Sequence, residues 1–130
     1  MNGSASDHFL WKEFYCNSSR CLLLSDLTLF HVDLLEKLRV DYGNPLKVNS
    51  GYRSPQHNKK IGGAKNSMHL KFATDIAPTG EVTMEKLDSI AELAEKHGFS
   101  GIGRYGSFVH LDCREFIGRT PARWDNRSTS

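Results

Sequence analysis

Long apolar runs are missing from this sequence. The longest, Cys21-Leu22-Leu23-Leu24, has four residues, against the ~20 that a membrane-spanning helix needs. Asp7, Lys12 and Glu13 interrupt the stretch where a signal peptide would carry its apolar segment, so synthesis in the cytoplasm without an export signal is expected. Cysteine is scarce. Cys16, Cys21 and Cys113 make an odd number with no CxxC pair, which argues against a disulfide framework or zinc knuckle and for reduced thiols. Whether Cys16 pairs with Cys21 stays open. Charge of one sign is lacking too. Seventeen basic and fifteen acidic side chains leave +2, with no Lys/Arg stripe of the kind that tracks nucleic acid. Arg119, Arg123 and Arg127 give only the last residues a basic cast. Internal repeats and low-complexity tracts are absent.

What remains is an ordinary globular composition over 130 residues, with 38% hydrophobic, 25% charged and 10% aromatic residues. One domain of this size buries roughly two-thirds of its unfolded surface without staples. Residues 9–124 are expected to form it, as a monomer, with tails at 1–8 and 125–130.

Leu27, Phe30, Leu34, Leu35 and Leu38 recur at helical spacing and predict a helix from about Leu27 to Tyr42, capped by Ser25 or Asp26 and ended by Gly43 and Pro45. Leu46 to Ser50 alternates like a short strand and enters the loop Gly51-Tyr52-Arg53-Ser54-Pro55, after which Gln56 to Asn66 reads as polar loop. Phe72 to Ala77 reads as a strand with Ala73, Asp75 and Ala77 on one face and Thr74 and Ile76 on the other. A second helix, Met84 to Lys96, is capped by Thr83, buried through Leu87, Ile90, Ala91 and Ala94, and stopped by Gly98. Two alternating runs flank Gly106-Ser107 and predict a hairpin with a II′ turn. The order of elements gives an α+β fold with a small, mostly antiparallel sheet and flanking helices.

On the last strand, period two puts His110 and Asp112 on one face and Val109 and Leu111 on the other. That pattern fits a strand lining a cleft, and equally a His and Asp facing solvent. Asp75 sits among Ala73, Thr74, Ile76 and Ala77, and a carboxylate in so apolar a strand needs a partner. With His69 and His110 it makes an N, O, N donor set of the kind zinc accepts. Three protein ligands leave a fourth position for water, the pattern of a catalytic site.

Four segments in order carry a resemblance: Ser50-Gly51-Tyr52-Arg53-Ser54-Pro55-Gln56-His57-Asn58, Gly62 through Leu70 with Ser67-Met68-His69, Ala73-Thr74-Asp75-Ile76, and Gly101-Ile102-Gly103-Arg104-Tyr105 through Phe108-Val109-His110-Leu111-Asp112. The chain resembles the M15 family of zinc peptidases, most of all its small D-Ala-D-Ala carboxypeptidase-like branch, which shares its fold with the hedgehog signalling domain. The closing Ala122-Arg123-Trp124 is similar as well. The resemblance implies a zinc hydrolase acting on the stem peptide of bacterial peptidoglycan, with one Zn²⁺ held by His69, Asp75 and His110. It makes Arg53 a substrate or transition-state clamp, a task suited to a planar, permanently charged guanidinium, and gives Ser67 a supporting polar contact with substrate.

Two departures stand out. The family pattern has six residues between the first His and the Asp, whereas this chain has five, Leu70 to Thr74. Because a one-residue slip flips a strand's faces, Asp75 reaches the metal only if the turn after His69 is tightened. Several branches also place a Glu or Asp a few residues before the last zinc His, where Gly106, Ser107, Phe108 and Val109 stand here. Asp112 is the nearest acid, either the catalytic base or an acceptor orienting an imidazole, with the second preferred. His31 is expected in the core, His97 at a helix end, His57 fixing its loop, His8 in the N-terminal arm, and Cys113 packed rather than reactive.

The leading expectation is a zinc-dependent peptidoglycan peptidase, a D-Ala-D-Ala carboxypeptidase or an L-Ala-D-Glu-type endopeptidase. By analogy it suits a phage lysis or tail enzyme that meets the cell wall after release or within a particle. The alternative is a non-catalytic module of the same fold that binds peptide, cell wall or a protein partner. A nucleic-acid binder using the basic end ranks last, and no membrane partner is expected.

Overall fold

The structure is a computed structural model and describes residues 3–127. Five strands form one sheet in the order β1-β2-β4-β3-β5, with β1 at Leu46–Ser50, β2 at Ala73–Pro78, β3 at Gly101–Arg104, β4 at Val109–Asp112 and β5 at Ala122–Asp125. Three pairings are antiparallel, while β3 and β5 run parallel. The sheet is therefore mixed, within the expected α+β class. Its fifth strand was not foreseen, because its four residues alternate only between half-buried and exposed.

Helix α1, Asp26–Tyr42, begins where Ser25 and Thr28 exchange hydrogen bonds and ends at Gly43, whose φ of 79° is left-handed. Helix α3, Met84–His97, starts on the Thr83 hydroxyl and buries Leu87, Ile90, Ala91 and Ala94, as the spacing predicts. The two helices pack together on one face of the sheet. Phe30 does not join the α1 core stripe. It stays 41% exposed and stacks on Phe116 at 5.1 Å between ring centroids. A short helix α2, Pro55–Lys60, occupies part of the stretch expected as loop. Pro55 at its first turn and the Ser54 hydroxyl accepting from His57 N make that start stable despite polar side chains.

The hairpin between β3 and β4 closes with Arg104 opposite Val109. Gly106 does not take a positive φ, so the turn is not the expected II′ type. Instead Tyr105 N donates to Phe108 O at 3.0 Å, and the two rings stack at 4.4 Å. In the core, Phe72 packs edge-on against Phe14 and His31. His31 is fully buried, with its Nε2 at 2.9 Å from Thr74 Oγ1. Thr74 thus faces the helices and Asp75 the opposite side of the sheet. Residues 3–8, assigned to a tail from composition, make specific contacts: Ala5 N donates to Phe9 O, and the Ser6 hydroxyl and His8 bond to Glu36.

Candidate metal centre

Strand register builds the site. Asp75 on β2 pairs with His110 on β4, His110 with Gly103 on β3, and Gly103 with Trp124 on β5. These four positions form one row across the sheet face turned away from the helices. Gly103 is needed in that row, since a Cβ there would lie 2.3 Å from the Trp124 indole. Its absence lets the indole lie across β3 and reach the His110 ring, 5.2 Å between centroids. In the adjacent row Ala73 pairs with Asp112 and Asp112 with Gly101. A Cβ on Gly101 would meet the Asp112 carboxylate at 2.2 Å. The alternation Gly101-Ile102-Gly103 therefore seals the core with Ile102 and clears space for the site with both glycines.

His69 arrives from outside the sheet, on a 3-10 turn at Met68–Leu70 whose first residue is preceded by the Ser67 hydroxyl accepting from His69 N at 3.2 Å. This turn is the tightened connection that the five-residue spacing requires. His69 Nε2 comes to 3.3 Å from Asp75 Oδ1, and His110 Nδ1 to 3.1 Å from the same oxygen. One ligand atom from each of His69, Asp75 and His110 lies within 4.8 Å of the others.

The outward nitrogens decide what the inward ones do. His69 Nδ1 is 2.7 Å from Gly51 O, a carbonyl that only accepts, so Nδ1 carries its proton. His110 Nε2 is 2.7 Å from Asp112 Oδ2, which also accepts, so Nε2 carries its proton. Each imidazole therefore turns its inner nitrogen toward the Asp75 carboxylate oxygen, a contact that is made either by a second ring proton or by a cation held between them. This donor set fits a zinc ion. Burial would push the Asp75 carboxyl up, but hydrogen bonds and charge from His110 and His69 outweigh it and hold it at about 2. Burial likewise opposes a charge on His110, and the bonds to Asp112 and Asp75 raise its pKa nonetheless.

Asp112 is fully buried. Its Oδ1 accepts from Arg114 N and Nε at 3.0 and 2.9 Å, and its Oδ2 from Arg114 Nη2 at 2.7 Å as well as from His110. Against the effect of burial, these donors hold its carboxyl well below the usual carboxylate range. Asp112 thus stands as the hydrogen-bond acceptor of His110 Nε2 and is not among the residues that line the cavity before His69, Asp75 and His110.

In front of the cluster lies a cavity of about 390 Å³. Arg53 and Ser67 both line it. Arg53 N donates to His69 O at 2.9 Å, and its Nη1 to Asn58 Oδ1 at 2.8 Å. Arg114, Arg119, Tyr105, Phe108 and Trp124 complete much of the wall and were not singled out as site residues. Trp124 donates from Nε1 to Tyr105 Oη at 2.8 Å, the Arg114 guanidinium lies 5.1 Å over its ring, and Arg119 Nη1 donates to Asn66 O at 3.0 Å. The signal for Trp124 was the closing Ala122-Arg123-Trp124 of the resemblance; Arg114, on the 3-10 turn Arg114–Ile117 that follows β4, and Arg119 offered none. Among the described lining residues Asp75 is the one carboxylate. The other histidines stand apart, with His97 on Asp41 and His8 on Glu36. Arg123 and Arg127 pair with Glu95, Asp88 and Asp125. No described helix is long and apolar enough to cross a membrane.

A protein-family model described as Peptidase M15 matches residues 7–112. No curated protein matches the chain. The matched span includes His69, Asp75 and His110 and stops before Arg114, Arg119 and Trp124.

Proposed function

The chain belongs to the peptidase M15 family, and from that premise we propose that it is a zinc-dependent metallopeptidase cutting peptide bonds in the stem peptide of bacterial peptidoglycan. The observation that carries this reading is the pair of imidazoles with fixed tautomers, aimed with Asp75 into one cavity. His69 Nε2, Asp75 and His110 Nδ1 would hold the ion. Zinc bound there supplies a Lewis acid for the scissile carbonyl and lowers the pKa of a water.

The chain's own residues do the rest. Gly51 O and the Asp112 carboxylate keep each ring in the tautomer that leaves its inner nitrogen free. Arg53, anchored through Asn58, offers its remaining N–H groups to a peptide carboxylate or to negative charge developing on the carbonyl oxygen. Ser67 caps the His69 turn and borders the same space. Tyr105, Phe108 and Trp124 give the cavity an apolar wall for the substrate backbone and its small side chains. A D-Ala-D-Ala carboxypeptidase and an L-Ala-D-Glu-type endopeptidase both fit this outline, as does service in phage lysis or in a phage tail.

A second reading is a non-catalytic module that keeps the fold and the ion but only binds peptide, cell wall or a protein. It is favoured by the burial of Asp112 and by the absence of a carboxylate other than Asp75 on the described cavity wall. Incubation with purified peptidoglycan separates the two. Release of stem fragments that stops with a chelator, returns with zinc and is absent in His110→Ala supports the peptidase, and the fragment masses identify the bond cut. Binding without release under zinc-replete conditions supports the module.

A further inference from the structure

The segment between a 3-10 turn at Trp11–Phe14 and α1 holds two cysteines that the proposed function does not use. Cys16 is buried and Cys21 exposed, both as free thiols. Cys16 N donates to Cys21 O at 2.7 Å, and Arg20 N to Cys16 O at 2.9 Å. With standard bond lengths, the first of these holds the two Cα atoms no more than about 6.5 Å apart, inside the ~4.4–6.8 Å that a disulfide spans. The Ser19 hydroxyl lies 2.9 Å from Cys21 Sγ and also hydrogen-bonds Cys16, so it stands between the two sulfurs. Arg20 completes the turn at φ 56°, a left-handed conformation that costs a residue with a Cβ.

Cys16 also grips the loop that carries Arg53. Ser54 N donates to Cys16 Sγ at 3.3 Å, and Ser54 Oγ lies 3.6 Å from the same sulfur. Ser54 in turn caps α2. Tyr52 N donates to Phe14 O, and Gly51 sits so close that a Cβ would meet that oxygen at 2.6 Å. The loop held in this way includes the Gly51 carbonyl that fixes His69.

The geometry points to Cys16 and Cys21 as a thiol–disulfide pair whose oxidation by a low-molecular-weight disulfide withdraws Cys16 from Ser54 and loosens the Arg53 loop. Its consequence for hydrolysis rests on the proposed function; the pair itself does not. The exposed Cys21 thiolate attacks the external disulfide and expels one thiolate, forming a mixed disulfide. The Cys16 thiolate then attacks the Cys21 sulfur and expels the second. Two electrons leave the protein sulfurs, and the two thiol protons end on the two released thiols. Burial opposes a thiolate at Cys16, but hydrogen bonds from Ser19, Ser54 and Ser18 prevail and bring its pKa to about 5. Cys113, 1% exposed and pushed by burial to about 12, is the internal control.

The test is incubation of the full chain with oxidised glutathione, followed by intact mass, differential alkylation and amide hydrogen exchange. The expected result is loss of two hydrogens at Cys16 and Cys21, reversal by dithiothreitol, no such loss in Cys21→Ser, and faster exchange at Ser54 and His57. A stable glutathione adduct on Cys21, unmodified thiols, or a disulfide with unchanged exchange at Ser54 overturns the proposal. Hydrolysis that falls on oxidation in the wild type but not in Cys21→Ser ties the pair to activity. If the reduced protein cleaves nothing, the peptidase reading fails while mass and exchange still decide the pair.

Discussion

Replacing Asp112 with Asn changes one atom type at a buried site and separates two roles. The carboxylate accepts from three Arg114 donors and from His110 Nε2. An Asn has one accepting oxygen. Placed toward Arg114 N and Nε, that oxygen keeps two bonds, and the new NH₂ group faces both Arg114 Nη2 and His110 Nε2. The first of those contacts is donor against donor and forfeits a bond to a charged group, about 1.5–3 kcal/mol of stability. The second is relieved only if His110 moves its proton to Nδ1, where it blocks the inner lone pair. Metal affinity should fall by about 10–100-fold, the usual cost of losing a partner that orients a ligand. Urea denaturation in chelator measures the first effect, competitive zinc titration the second, and imidazole nitrogen chemical shifts the tautomer. A variant that binds zinc with wild-type affinity and loses only hydrolysis would refute this reasoning and make Asp112 the base.

Four further outcomes are expected. Burial holds the His31 imidazole neutral down to about pH 3, whereas in the unfolded chain it takes up a proton near pH 6.5; folding therefore loses about 1.4 kcal/mol per pH unit on acidification between those values. The stability advantage of the wild type over His31→Gln, measured by urea titration, should shrink by that slope from pH 6 to pH 4. Gly103→Ala drives a Cβ into the Trp124 ring and should cost about 1–3 kcal/mol, read by thermal melting and by Trp124 fluorescence in a Trp11→Phe background. Arg53→Lys loses the planar fork and the Asn58 bond; hydrolysis should fall about 100-fold with zinc content unchanged, as shown by elemental analysis beside the assay. Thr83→Ala removes the α3 cap and should cost about 1 kcal/mol in urea denaturation.

Several features of this chain were legible without coordinates because they depend on neighbours in sequence. Ser25, Gly43, Thr83 and Gly98 end two helices through local hydrogen bonds and φ preferences. Period-two alternation alone put His110 and Asp112 on one face of β4 and separated Asp75 from Thr74 on β2. The composition of the His69, Asp75 and His110 set was likewise readable as metal chemistry. The parallel pairing of β5, the buried state of Asp112 and the cavity wall of Arg114, Arg119 and Trp124 were not. Each of these depends on residues brought together across strands, where register and the missing side chains of Gly101 and Gly103 determine what fits. Sequence spacing left the turn after His69 as a condition to be met, and only the packed Gly51 loop and the 3-10 turn at Met68–Leu70 met it. The identities of the chemical groups came from the sequence by itself; their protonation, tautomer and access to solvent were decided by the tertiary structure, because those properties are set by what lies within one hydrogen bond in space.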